Sequence, residues 1–185
     1  MPELPLPDPP LRSDSLALRA WSTADMPALV AACQDPAIAR FAAAIPPPGS
    51  EADARAWFAA QEPARRGGLR LELAIVNLES DELLGSISLS SVEWSHGRAM
   101  VSFWVVPEAR GQGAAAGALR LLAGWAFGSL HLTRVELFIE PENAISQRVA
   151  ERCGFVREGL LRSRWVSRGR RRDSVVYGLL GGELR

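Results

Sequence analysis

Arg110-Gly111-Gln112-Gly113-Ala114-Ala115 is the segment whose residue types bear most directly on chemistry. It follows a β-rich run stopped by Pro107 and opens an alanine-rich run with helical spacing. Glycines let main-chain amides approach a ligand closely, and a helix N-terminus adds partial positive charge. Such a loop suits phosphate oxygens. A purely structural turn explains the same residues equally well, because short glycine runs open many helices.

Gly111, Gly113 and Gly117 superficially match a dinucleotide-binding fingerprint. That fingerprint needs its glycines directly after the first strand of a βαβ unit, with an acid about 20 residues later at the end of the next strand. Here Pro107-Glu108-Ala109-Arg110 intervenes, and Glu136 falls inside an expected strand. A P-loop is excluded, since all 21 basic residues are arginine and the motif requires lysine.

The elements that must position this loop follow from local signals. Five prolines in the first ten residues read as an extended arm over the surface, covering residues 1–12. Leu16 to Trp21 alternates as a strand. Ser22 with Asp25 forms a capping box for a helix to about Arg40, and Ser50 with Asp53 repeats it for a helix to about Gln61. Pro46-Pro47-Pro48-Gly49 breaks the chain between them, and Arg65 to Gly68 reads as a loop. Leu71–Asn77, Leu83–Ser91 and Ala99–Val106 read as strands, the first two as a hairpin. Ala114–Phe127 is apolar nearly all round and therefore a buried helix. Val135–Ile139 is a strand and Ala144–Arg152 a short helix closed by Gly154. Strands at about 159–166 and 174–180 flank an arginine-rich turn. At 185 residues with no internal repeat, the chain is expected to form one mixed α/β domain over 1–185.

Composition narrows the function classes. Apolar residues at 48% and charged ones at 23% are ordinary for a globular chain. No stretch approaches the roughly 18 apolar residues of a membrane span, and MPELPLPDPP is not expected to be a signal peptide. Cys33 and Cys153 have no metal spacing, so a reducing cytoplasm and no metal are expected. Basic and acidic residues balance at 21 each, which argues against nucleic acid. The cluster Arg162, Arg164, Arg168, Arg170, Arg171 and Arg172 is expected to be a solvated hairpin, with steering of an acidic or ribosomal partner as its alternative.

The run Phe103-Trp104-Val105-Val106-Pro107-Glu108-Ala109-Arg110-Gly111-Gln112-Gly113 through Trp125-Ala126-Phe127 resembles the acyl-CoA-binding core of GNAT N-acyltransferases. Arg110, Gly113 and Ala115 fill that family's loop pattern in register. Downstream, Arg134-Val135-Glu136-Leu137, Glu142-Asn143-Ala144-Ile145-Ser146, Cys153-Gly154-Phe155 and Glu158-Gly159-Leu160-Leu161-Arg162 are similar to the RimJ/RimL branch. Leu18-Arg19 with Asp25 looks like that branch's opening, and Asp173-Ser174-Val175-Val176-Tyr177 like its last strand.

The resemblance implies a mostly antiparallel sheet of six to seven strands, splayed at the acyl-CoA site and flanked by helices. It implies acetyl-CoA as donor and a primary amine as acceptor, either a protein N-terminal α-amine or a small amine. Trp104 and Val105 would offer main-chain groups to the pantetheine arm and thioester. Arg110, Gly111, Gln112, Gly113, Ala114 and Ala115 would hold the pyrophosphate. Asn143 would bond the pantetheine arm or merely cap its helix, and Ser146 would act at the sulfur or only at the helix terminus. The tyrosine acid of many relatives is replaced by Ala150, and the acid usual on the strand before Phe-Trp is replaced by Met100. Glu93, His96 and Glu72 are the remaining base candidates, while Cys153 reads as core. Another donor such as succinyl-CoA, or a non-catalytic CoA-sensing or RNA-associated module, are the alternatives; a homodimer is allowed.

Overall fold

The computed structural model describes residues 2–42, 50–167 and 169–185. The expected break at Pro46–Gly49 and the arginine at 168 lie outside them. Among the described residues, eight strands form one sheet: β1 (Leu11–Arg12), β2 (Leu16–Ala20), β3 (Arg70–Asn77), β4 (Leu83–Glu93), β5 (Arg98–Val105), β6 (Arg134–Ile139), β7 (Val156–Ser167) and β8 (Arg170–Leu180). Their spatial order is β1-β2-β3-β4-β5-β6-β8-β7, antiparallel except where β6 runs parallel to β5. The sheet thus exceeds the expected six to seven strands, and the short β1 comes from the end of the proline-rich arm. That arm is also tied down. Leu4 is fully buried in the core, and its main chain bonds Arg65 at both ends.

Helices cover both faces. α1 (Met26–Cys33), α2 (Pro36–Phe41) and α3 (Glu51–Arg66) pack through Leu29, Cys33, Ile38 and Ala54 against Ala17, Ala74, Val76 and Trp104. On the other face lie α4 (Ala114–Gly128) and α5 (Ala144–Arg152), where Leu119, Leu122 and Ala126 meet Leu73, Ile87, Val101 and Leu137. Strand alternation divides the sheet residues between the two cores.

Three helix boundaries differ from expectation for local reasons. The single helix expected to Arg40 divides at Asp35-Pro36. Proline has no N–H to continue a helix, and Asp35 instead accepts from Ile38 N at 2.8 Å to cap α2. The capping box of Ser22 and Asp25 is present, but it opens a 3-10 turn ahead of α1. α3 runs through Arg66 rather than stopping near Gln61. Glu62 pairs with Arg65 and Arg66 there, absorbing what read as a basic loop.

α4 supplies the crossover that a parallel strand pair requires. β5 and β6 pair only from Arg98 to Met100 and from Arg134 to Glu136. Beyond those residues the strands diverge, leaving a gap in the sheet between Val101–Val105 and Leu137–Ile139. α5, set off β6 by a turn in which Asn143 N donates to Glu140 O, overhangs this gap.

Candidate active site

Two cavities meet at the gap, of about 340 and about 380 Å³. They share Phe103, Trp104, Asn143 and Ser146, so the gap is open from both sides of the sheet.

The larger cavity is lined by Val105, Arg110, Gly111, Gly113, Ala114 and Ala115, and by Arg148 and Arg152 of α5. Gly111 and Gly113 have φ of +76° and +86°, in the region glycine tolerates and other residues resist. A Cβ built on either would meet nothing within 4 Å, so the space before the loop is empty. The first helical bond of α4 runs from Gly117 N to Gly113 O at 2.9 Å. The amides of Ala114, Ala115 and Ala116 precede it and have no partner inside the helix. This geometry fits an anion, and the two arginines of α5 add positive charge to the same cavity.

Two loop side chains are occupied elsewhere. Arg110 Nη2 donates to Asp35 Oδ1 at 2.6 Å, and Gln112 Nε2 donates to Glu108 O at 2.6 Å. Both contacts brace the loop, the first by joining it to the α2 cap. The Arg110 guanidinium also holds the Asp35 carboxyl below the usual carboxylate range.

The ladder decides which main-chain groups face the gap. Val106 N donates to Leu84 O, while Gly97 O accepts from Thr133 N and Arg134 N on the β6 side. By antiparallel alternation, even-numbered residues of β5 bond to β4 and odd-numbered ones turn toward β6. Val105 and Phe103 therefore have the free edge. Trp104 lines both cavities, and its main chain pairs with β4.

Asn143 and Ser146 lie at the junction. Asn143 Oδ1 accepts from Ser146 N at 3.1 Å, so this asparagine caps α5 while lining both cavities. Ser146 Oγ has no hydrogen-bond partner among the described residues. Ala150 and Cys153 are fully buried in the core. Tyr177 is buried too. Its hydroxyl lies 3.0 Å from Glu151 Oε1 and does not line either cavity, and burial and that glutamate push its pKa up to about 12.

The smaller cavity is lined by titratable side chains. Of Glu93, His96 and Glu72, only Glu72 lines it. Glu93 pairs with Arg98 at 2.9 Å, and His96 sits on an exposed turn. The Glu72 side chain is 4% exposed, bonded by Arg70 Nε and Ser86 Oγ at 2.6 Å each. Burial raises its pKa against the opposing pull of those two groups. Arg70 Nη2 also donates to Ser88 Oγ, which is buried 2.7 Å from Ser102 Oγ. Either hydroxyl of the Ser88–Ser102 pair can be the donor, since Ser88 Oγ keeps a second lone pair after accepting from Arg70. Met100 lines the same space, so no carboxylate stands at its strand position. Glu140, which nothing in its sequence context marks, lines it as well.

A family model described as an acetyltransferase (GNAT) domain matches residues 15–156. The chain belongs to the GNAT acetyltransferase family. Its splayed sheet and glycine loop are thus those of an acyl-CoA-dependent acetyltransferase. The chain is 28% identical to the uncharacterized N-acetyltransferase p20 of Bacillus licheniformis over 173 residues, 94% of this chain and 97% of p20. A candidate ribosomal-protein-serine acetyltransferase from Vibrio cholerae superimposes with a TM-score of 0.83 at 23% identity, covering 95% of this chain and 99% of that one. Spermidine N-acetyltransferase from Vibrio cholerae, solved with CoA and spermine, superimposes at 0.77 with 21% identity over 92% of this chain and 98% of that one. At these identities the two structures share the fold. Of the arginines expected in a solvated hairpin, Arg162, Arg164, Arg170 and Arg171 are exposed on β7 and β8, whereas Arg172 is half-buried and turns toward Glu140. No helix among the described residues is long and apolar enough to cross a membrane.

Proposed function

We propose that this acetyltransferase moves the acetyl group of acetyl-CoA to the α-amine of a peptide or protein N-terminus, or of a small amine resembling one. The observation that carries the reading is the gap between β5 and β6. It joins an anion-suited cavity at the α4 N-terminus to a second cavity containing a buried carboxyl. CoA would lie along the first, its pyrophosphate on the loop amides from Gly111 to Ala115 and its pantetheine arm beside Asn143 and the free edge of Val105. The acceptor would enter the second.

In this reading the neutral amine attacks the thioester carbon, forming the C–N bond while the C–S bond breaks. Charge developing on the carbonyl oxygen is met by the Val105 amide, a donor fixed by the sheet before reaction begins. The proton released by nitrogen passes through water to Glu72, whose raised pKa makes it a stronger base than an ordinary carboxylate. The departing thiolate takes a proton from the Ser146 hydroxyl or a water it orients.

An α-amine is favoured as acceptor on two grounds. With a pKa near 8 against about 10.4 for a lysine ammonium, far more of it is neutral at pH 7. The acceptor cavity is also lined by Arg40 and Arg70 as well as by Glu72 and Glu140, so it offers a polycation no net attraction. One sheet joining Leu11 to Leu180 supports a single catalytic domain, and two buried, unpaired cysteines accord with a cytoplasmic enzyme.

Release of CoA thiol from acetyl-CoA, followed across a panel of short peptides, amino-acid amides and polyamines, tests the reading. Peptide-dependent release with acetylation mapped to the α-nitrogen is expected. Turnover only with succinyl-CoA, or CoA binding without turnover on any amine, would refute it.

A further inference from the structure

Glu140 ends the strand side of the gap just past β6, and its carboxylate is unusual among the acids of this chain. Its Oε2 is enclosed yet has no hydrogen-bond partner among the described residues. The nearest cations are Arg40 Nη2 at 3.6 Å and Arg172 Nη1 at 3.9 Å, close enough for charge attraction but beyond hydrogen-bond length. The side chain is 13% exposed and lines the acceptor cavity. Buried carboxylates ordinarily fill their lone pairs, because an unmet acceptor loses its hydration without return. A carboxylate held in place by two guanidiniums, and left without donors, is equipped to receive one.

The donor's chemistry follows from the surrounding charge. Two arginines already more than balance Glu140, so an incoming ammonium would meet net positive charge. A neutral N–H would not. Position points the same way: Glu140 O accepts from Asn143 N at 2.9 Å, and Asn143 in turn caps the helix carrying Ser146. The carboxylate lines the same cavity as Asn143 and Ser146, on the side from which the amine would approach the junction.

We propose that Glu140 is a specificity-determining residue of the acceptor site, accepting the first peptide N–H beyond the reacting α-amine. The proposal rests on the acceptor class assigned above. It makes acceptors with a neutral amide next to the amine better substrates than amines lacking that group.

A substrate pair isolates the bond: an alanyl dipeptide amide and its depsipeptide counterpart, in which that N–H is replaced by an ester oxygen. Wild-type enzyme should prefer the amide by at least about tenfold in kcat/KM, mainly through KM, as expected for a hydrogen bond to a charged acceptor. Glu140→Ala should reduce the preference below about twofold. Glu140→Gln, which keeps a carbonyl acceptor, should retain part of it. Differences in amine basicity between the two substrates cancel in the ratio of ratios. A full amide preference in Glu140→Ala would overturn the proposal, as would equal rates for both substrates in the wild type, which needs no variant to fold. Wild-type turnover of spermidine with none of either alanyl compound would overturn the acceptor class together with it.

Discussion

Gly113→Val separates a ligand-cradling glycine from a merely structural one. At φ +86° and ψ −2° a valine must take left-handed backbone geometry, which costs on the order of 1–3 kcal/mol. No packing clash adds to this, since a Cβ there meets nothing within 4 Å. For a chain of this size about 2 kcal/mol corresponds to roughly 4–8 °C in Tm. That leaves the protein folded at room temperature, given typical stabilities of about 5–15 kcal/mol. Ligand binding is read on the same instrument. At a concentration about 100 times its Kd, CoA should stabilise the wild type by about 2.7 kcal/mol, a further rise of roughly 5–11 °C. In Gly113→Val the side chain fills the space that the pyrophosphate would take, so the CoA-dependent rise should vanish. Gly169→Val is the control. Its φ of +71° carries similar strain at the β7–β8 turn, and a Cβ there also meets nothing within 4 Å, so it should lose Tm but retain the CoA-dependent rise. A folded Gly113→Val protein with an undiminished CoA-dependent rise would refute the placement of pyrophosphate at this loop.

Ser146→Ala should lower kcat by about tenfold or more while changing KM for acetyl-CoA little, because a proton donor or water-orienting group acts mainly in the transition state. An effect confined to KM would make Ser146 a binding residue. For Glu72, activity should rise with pH through a limb lying above the ordinary carboxylate range, since only the deprotonated form accepts the amine's proton. Glu72→Gln should abolish that limb and lower the rate, and persistence of the limb would assign it to another group. The same raised pKa has a sign for stability. Folded Glu72 retains its proton to higher pH than the unfolded chain, so its contribution is fully present below about 4.5 and is lost as pH rises through the folded pKa. Chemical denaturation across that range, with Glu72→Gln as reference, measures the difference.

Much of this was legible in the sequence. The capping serines, the alternating strands, the apolar helix from Ala114 and the glycines before it are short-range signals, because each reflects bonds within a few residues. They located α4, α5 and the loop to within a residue or two. The family's motif order supplied the antiparallel sheet and its splay.

What the sequence could not reach depends on which distant residues meet. Asp35-Pro36 reads as an interior of one helix until its carboxylate is seen capping a second helix and holding Arg110 from the far side of the gap. Arg65 reads as loop until Leu4 is found beneath it. Glu72, Glu93 and His96 are equal candidates as a base in the sequence, and only strand pairing brings Glu72 alone of the three into the smaller cavity. Ladder parity, set by Val106 against Leu84 and by Gly97 against Thr133, gives the free edge to Val105 and withholds it from Trp104. Glu140 carries no motif, and its unmet carboxylate exists only because β6, α2 and β8 converge on it. Residue types and local spacing dictate elements and the chemistry they can carry. The partners of a side chain are chosen by register and by the path of the chain between elements, and there one residue of shift moves a group from a cavity to the opposite face.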